Sequence, residues 1–117
     1  MANHIMSLGN TKQILVIAAH PDDEILGCGG TIARHVENGD NVDILFLADG
    51  VTSRGGVQDN KDIIEREANG EKACSILGAN VIKFAKYPDN KMDTIPFLDV
   101  VNEIEMVIKQ LKPVVIY

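Results

Sequence analysis

The 117-residue sequence has no tryptophan, and aromatic residues make up only 4% of it. Proteins that bind single-stranded nucleic acid stack the bases on aromatic side chains, so this composition argues against such a role. The net charge of −6 disfavours nucleic acids and anionic membranes as partners. The only cysteines, Cys28 and Cys74, provide no disulfide framework and fit a reducing compartment.

Long apolar runs are also missing from the sequence. No stretch approaches the roughly 20 apolar residues of a membrane-spanning helix. The first residues lack the charged and then apolar segments of a signal peptide. We therefore expect a cytoplasmic protein that does not bind membranes. Residues 1–11 are predicted to form a loose tail, and residues 12–117 a single domain.

The rest of the chain alternates between strand and helix patterns. Apolar runs predict strands over residues 13–18, 42–48, 81–84 and 114–117, the last apolar on both sides as a central strand would be. Helices are predicted over 24–38, 61–77 and 97–111, although Gly70 weakens the second by about 1 kcal/mol. The alternation predicts an α/β fold, a Rossmann-like open parallel sheet with helices on both faces. The sheet would be incomplete, since the chain ends in its fourth strand.

An acidic cluster follows the first predicted strand. Residues 19–24 are Ala-His-Pro-Asp-Asp-Glu and lie at a strand-to-helix turn, the edge of open α/β sheets where ligands bind. His20 and Asp23 offer a nitrogen and an oxygen ligand, which suits Zn²⁺ or another divalent metal. Asp22 would be free to act as a base toward a metal-bound water. Helix capping and the helix dipole are the alternative explanation for the acidic residues.

Several segments together resemble the LmbE-like, or PIG-L, family of zinc-dependent N-deacetylases. They are the cluster at 19–24, Leu-Gly-Cys-Gly-Gly-Thr-Ile-Ala at 26–33, Ala-Asp-Gly-Val-Thr-Ser-Arg at 48–54, and Arg66 ahead of a Leu-Gly pair. The resemblance covers residues 12–117, which would form the N-terminal portion of such a deacetylase domain, and its first motif is highly specific.

The resemblance implies a role for individual residues. His20 and Asp23 would be metal ligands, Asp22 the general base, and Arg66 a contact to the substrate sugar. The implied activity is that of a metal-dependent amidohydrolase, which removes an acetyl group from an N-acetylated amino sugar such as N-acetylglucosamine, or from its conjugate.

One part of the family pattern has no counterpart. Family members take a third metal ligand from a His-rich loop that follows a strand like residues 113–117, and this sequence ends at Tyr117. We therefore expect the 117-residue chain to be inactive or very weakly active. Asp49 is the best internal candidate for a third ligand, although a turn before Gly50 explains it equally well. Asp49 and Arg54 are also candidate substrate-binding residues on the same edge, and His4 in the tail is read as incidental.

Several other residues are explained by ordinary structural roles. The glycines at 27, 29 and 30 do not complete a dinucleotide fingerprint, because Ile32 stands where its third glycine belongs. They are expected to allow close packing of helix on strand. Cys28 is either a low-pKa thiol or a small buried residue, and the second is favoured. His35 is expected to face solvent, and from spacing alone Arg66 would pair with Asp62 on its helix.

Two other hypotheses compete with the deacetylase. The first is a non-enzymatic Rossmann-like module that binds a small ligand or a partner without metal. The second is a homo-oligomer in which another chain supplies the missing strands and ligand, with residues 114–117 as an exposed partner edge. Glu24 has two explanations of its own, since it either orients a metal ligand or stabilises the helix N-terminus.

Overall fold

The computed structural model describes residues 11–48, 60–88 and 94–117. Strands and helices alternate along them: β1 (Gln13–Ala18), α1 (Asp23–Glu37), β2 (Asn41–Ala48), α2 (Asn60–Leu77), β3 (Asn80–Tyr87), α3 (Phe97–Leu111) and β4 (Val115–Ile116). The strands form one sheet in the order β3-β2-β1-β4, and every neighbouring pair is parallel. The predicted α/β class and parallel sheet are confirmed.

Both faces of the sheet are covered by helices. In β1 the side chains of Ile14 and Val16 pack with Ile32 of α1 on one face, as the two-residue period of a strand requires. Leu15 points to the opposite face and packs with Val107 of α3. β2 and β3 lie on one side of β1 and β4 lies on the other, so β1 is the strand at which the order of the sheet reverses, and α1 and α3 lie on opposite faces. The carboxyl end of such a strand is the usual ligand site of open α/β sheets.

The two outer strands of this sheet differ from the prediction. β3 extends to Tyr87 instead of ending at Phe84, and it passes through Lys86, whose φ is 61°. Lysines interrupt the apolar pattern of this segment, so the sequence predicted only part of the strand. In the structure Lys83 is accommodated by an ion pair with Glu103 of α3 at 2.8 Å. β4 is shorter than predicted, Val115–Ile116 instead of 114–117, and among the described strands it pairs with β1 alone, so its central position stays a prediction.

The glycines of α1 do not pack as expected. A Cβ built on Gly27 or Gly30 meets no atom within 4 Å, and one on Gly29 meets only Ile25 of its own helix. The glycine-rich segment coincides instead with a break in α1 at Cys28, whose φ and ψ are −144° and 28°. Close approaches occur instead at Gly70 within α2 and at Gly78 directly after it. Gly78 has a φ of 85° and ends the helix against Val36.

His35 does not face solvent. Its Nδ1 lies 2.8 Å from Asp40 Oδ2, and its Nε2 lies 2.9 Å from the hydroxyl of Tyr117. The imidazole therefore links the C-terminal end of α1 to the loop before β2 and to the residue after β4. Burial raises the pKa of Asp40, but hydrogen bonds from His35 and from the Lys12 N–H outweigh it, so the pKa lies below its ordinary value.

This lowered pKa predicts a pH-dependent stability. A carboxyl whose pKa is lower in the folded state stabilises the fold above its unfolded pKa of about 3.9 and loses that contribution as the pH falls through the folded value. Asp40→Asn should therefore lower the free energy of unfolding at pH 7, and the difference from wild type should shrink below about pH 4. Urea unfolding at pH 7 and between pH 5 and 2.5 measures it, and a constant difference would contradict the explanation. His35→Gln should behave in the same way.

Candidate metal and substrate site

The site turn, residues 19–24, crosses the carboxyl edge of the sheet directly after β1. Its first residue is tied to β2, since the Ala48 N–H donates to the Ala19 carbonyl at 2.7 Å. Asp22 then has a φ of 136°, a conformation that L-residues rarely adopt and that costs on the order of 1–3 kcal/mol. Its carbonyl accepts the N–H groups of Ile25 and Leu26, both at 3.0 Å, and so begins α1.

Asp22 does not cap the helix with its side chain. No side-chain capping hydrogen bond is present at this position, and the carboxylate is more than half exposed. Helix capping, the alternative explanation for the acidic cluster, therefore does not account for Asp22. Its carboxylate is instead turned toward α2.

His20 and Asp23 lie together, as the sequence predicted. His20 Nδ1 is 3.2 Å from Asp23 Oδ2, and the same oxygen accepts the His20 backbone N–H at 3.0 Å. Their side chains are 30% and 44% exposed, so both remain accessible to solvent. One imidazole nitrogen and one carboxylate oxygen, held side by side at the ligand-binding edge, fit a divalent ion such as zinc as two of its ligands.

A third protein ligand does not emerge from the described ranges. Within them, no group of three or more His, Cys, Asp or Glu side chains is placed to hold a metal. Asp49, Arg54 and His4 lie outside the described residues. The roles predicted for Asp49 and Arg54 therefore stay predictions.

Arg66 crosses from α2 to the site turn. Its Nη2 lies 3.6 Å from Asp22 Oδ2, so it pairs with the turn and not with Asp62, the partner that spacing alone favoured. The two side chains border a cleft of about 210 Å³ between the site turn and α2. The cleft is lined by Pro21, Asp22, Glu24, Ile25, Arg66, Asn69, Gly70 and Ala73. A guanidinium, an amide and a carboxylate at one cleft suit a ligand rich in hydroxyl groups.

Glu24 is buried beneath this cleft, with only 1% of its surface exposed. Its Oε2 accepts the Asp22 backbone N–H at 2.9 Å, and its Oε1 accepts the Cys74 thiol at 3.5 Å. Glu24 therefore stabilises the helix N-terminus, one of its two explanations, through the main chain of Asp22. The contact with Cys74 could not be predicted from a local sequence pattern, because 50 residues separate Cys74 from Glu24.

Neither cysteine has an activated thiol. Burial, followed by the charge of Glu24, raises the pKa of Cys28. Burial, the charge and hydrogen bond of Glu24, and the charge of Glu71 raise the pKa of Cys74 to about 12. The low-pKa alternative for Cys28 is therefore wrong, and its side chain packs against the core between α1 and the sheet.

Gly70 is required by the approach of α2 to the site turn. A Cβ built on it would lie 2.9 Å from Cβ of the buried Pro21. Gly70→Ala is therefore expected to lower the free energy of unfolding by about 1 kcal/mol, because an overpacking cost of about 1–3 kcal/mol exceeds the gain in helix propensity. Gly30→Ala, where the space is open, should raise stability by up to about 1 kcal/mol. Chemical denaturation of both variants tests this, and a stabilised Gly70→Ala would contradict the packing.

The sheet order and the polar cleft after β1 define an α/β protein with a cleft at the strand where the sheet order reverses, the usual position of ligand sites in this class. Within that class, the chain belongs to the PIG-L family. The family described as "PIG-L: GlcNAc-PI de-N-acetylase" matches residues 15–117. The family membership suggested by the motif at 19–24 is thus confirmed.

Three similar proteins illustrate the relationship. The chain is 32% identical over 107 residues to the diacetylchitobiose deacetylase of Thermococcus kodakarensis, covering 89% of this chain and 39% of that one. The structure of N,N′-diacetylchitobiose deacetylase from Pyrococcus horikoshii superposes with a TM-score of 0.78 at 24% identity, over 92% and 40% of the chains. GalB, a 4-carboxy-2-hydroxymuconate hydratase from Pseudomonas putida KT2440, gives a TM-score of 0.77 at 26% identity, over 91% and 46%.

The comparisons also show how much of each similar protein the chain covers. It spans less than half the length of each of the three proteins. In the described part of the chain, no helix combines the length and apolar character that crossing a membrane requires.

Proposed function

We propose that the chain carries the metal-binding edge of a deacetylase that acts on an N-acetylated amino sugar or its conjugate. The observation that carries the proposal is the contact between His20 and Asp23, with the Asp22 carboxylate next to them in the chain and turned toward the cleft. These three groups supply two metal ligands and a base from one turn.

Zn²⁺ is the proposed cofactor, and His20 and Asp23 would hold it. When bound, zinc polarises an amide carbonyl and lowers the pKa of a water molecule. The donor pair fits this ion in type and exposure. Further ligands would come from outside the described ranges, where Asp49 remains the candidate.

The proposed work of Asp22 is proton transfer. Its carboxylate oxygen takes a proton from the attacking water, whose oxygen bonds to the acetamide carbonyl carbon. The carbon–nitrogen bond then breaks as the nitrogen takes this proton from Asp22 and leaves as the free amine, and acetate is the second product. Arg66 contributes by holding the Asp22 carboxylate toward the cleft, since its guanidinium lies 3.6 Å away.

The substrate class is proposed from the cleft and from the names of the relatives. Arg66 and Asn69 present hydrogen-bond donors to the cleft beside Asp22, and donors of this kind suit the hydroxyl groups of a sugar. Two of the similar proteins are named as diacetylchitobiose deacetylases. Arg54 and Asp49 are proposed to add further substrate contacts. A cytoplasmic location and a homo-oligomeric state stay predictions.

A second candidate is suggested by GalB, because this fold also occurs in a hydratase. A hydratase would consume an unsaturated acid and release no acetate, whereas a non-enzymatic module would bind no metal through His20. Acetate release from N,N′-diacetylchitobiose therefore separates the deacetylase from the other two.

The decisive assay compares zinc-loaded protein with the Thermococcus kodakarensis deacetylase on N,N′-diacetylchitobiose. We expect acetate release by the 117-residue chain to be far slower than that of the relative, and to depend on zinc and on His20. An equal rate would contradict the expectation of weak activity. Release that is unchanged in His20→Ala, or when zinc is removed, would contradict the proposed site.

A further inference from the structure

Three residues of α2 contact the site turn from one side of the helix. Arg66, Gly70 and Cys74 are spaced four apart, and residues with this spacing lie above one another on a helix surface. Each meets a different residue of the turn: Arg66 pairs with Asp22, Gly70 lies against Pro21, and Cys74 donates to Glu24. One stripe of α2 therefore contacts the site turn over about two helical turns.

The most deeply buried of these contacts, between Cys74 and Glu24, places a carboxylate in the core. Both oxygens of Glu24 are used, one by the Asp22 backbone N–H at 2.9 Å and the other by the Cys74 thiol at 3.5 Å. Cys74 is fully buried. A buried carboxylate is costly unless it is hydrogen-bonded, so each partner supports the other. The raised pKa of Cys74, about 12, keeps its thiol protonated and able to donate.

Glu24 holds the backbone of Asp22, which is strained. Asp22 has a φ of 136°, in a region that favours glycine, and such a conformation persists only where surrounding contacts determine it. The Asp22 N–H is fixed by Glu24 from below, while the Asp22 carboxylate faces Arg66 above. The direction of the carboxylate thus depends on both contacts.

We propose that Glu24 and Cys74 are positioning residues, which hold the main chain of Asp22 in its strained conformation and thereby aim its carboxylate into the cleft. The inference rests on the proposed function, in which Asp22 is the base. It assigns Glu24 and Cys74 no contact with substrate or metal.

Amide hydrogen exchange measured by NMR in the metal-free 117-residue chain tests the proposal. In Glu24→Leu, the Asp22 amide should exchange at least about tenfold faster relative to the buried amides of β2, because its acceptor is lost. Glu24→Gln keeps an acceptor oxygen and should stay within about threefold of wild type. Cys74→Ala should accelerate exchange at Asp22. Cys74→Ser, which keeps a donor, should return the exchange rate to that of wild type.

The β2 amides distinguish positioning from a general loss of stability. A purely structural role would accelerate exchange at Asp22 and in β2 by the same factor, and that result would overturn the proposal, as would unchanged exchange at Asp22 in Glu24→Leu. Cys28→Ala, which removes the other thiol, should leave Asp22 unaffected. Because no metal is present, the result can be read even if the chain proves to bind no zinc, an outcome that would refute the proposed function alone.

Discussion

Asp22→Asn is expected to slow zinc-dependent acetate release by about 10²- to 10⁴-fold, the usual contribution of general acid–base catalysis. The amide cannot take a proton from water, but it keeps the size of the carboxylate and its approach to Arg66. The zinc content of the purified variant should be unchanged, because the proposed ligands are His20 and Asp23. Acetate is measured by a coupled assay at high protein concentration over long incubations.

The matched control is Asp62→Asn, the same exchange at an exposed position of α2 outside the cleft. It should release acetate at the wild-type rate. If Asp22→Asn also keeps that rate, Asp22 is not the base. If Asp22→Asn loses zinc along with activity, Asp22 belongs to the metal site, and the division of roles within the turn is wrong.

Phe46→Ala should lower the free energy of unfolding by about 3–5 kcal/mol, the range for removing a buried aromatic ring. Phe46 is fully buried in β2, and its ring stacks on Phe84 of β3 at a centroid distance of 5.3 Å. The substitution removes the ring contact between β2 and the neighbouring outer strand β3, and it leaves a cavity beneath α1 and α2. Urea unfolding followed by circular dichroism measures the change.

Phe97→Ala is the control, because it makes the same substitution at an exposed position. Phe97 is 81% exposed at the start of α3, and surface substitutions of this kind usually change stability by less than about 0.5 kcal/mol. Similar losses in the two variants would mean that the core does not lie between the sheet and the first two helices.

The fold was largely predictable because its periodicities are strong. The apolar run of β1 and the three- and four-residue steps of α3 placed both elements at their observed bounds. Predictions failed where a tertiary contact overrides a local pattern. β3 continues past Phe84 because Lys83 and Lys86 find acidic partners on α3 and α2, and His35 is drawn from solvent by Asp40 and Tyr117.

The site was predictable only in part. A motif of six adjacent residues carries His20, Asp22 and Asp23, so their proximity follows from sequence. The contacts that come from α2 do not, because they join residues 44 to 50 positions apart. Gly70 shows the difference: in the sequence it weakens a helix, and in the structure it makes room for Pro21.

Bound zinc, determined by elemental analysis of the purified chain and of His20→Ala and Asp23→Ala, shows whether the site turn holds a metal through these two residues. We expect about one zinc per wild-type chain and at least a tenfold lower content in either variant, since loss of one ligand from a small set weakens the site severely. His35→Ala, which removes a histidine from outside the site, should keep its zinc. Zinc that persists equally in His20→Ala and Asp23→Ala, or is absent from the wild-type chain, would contradict this expectation.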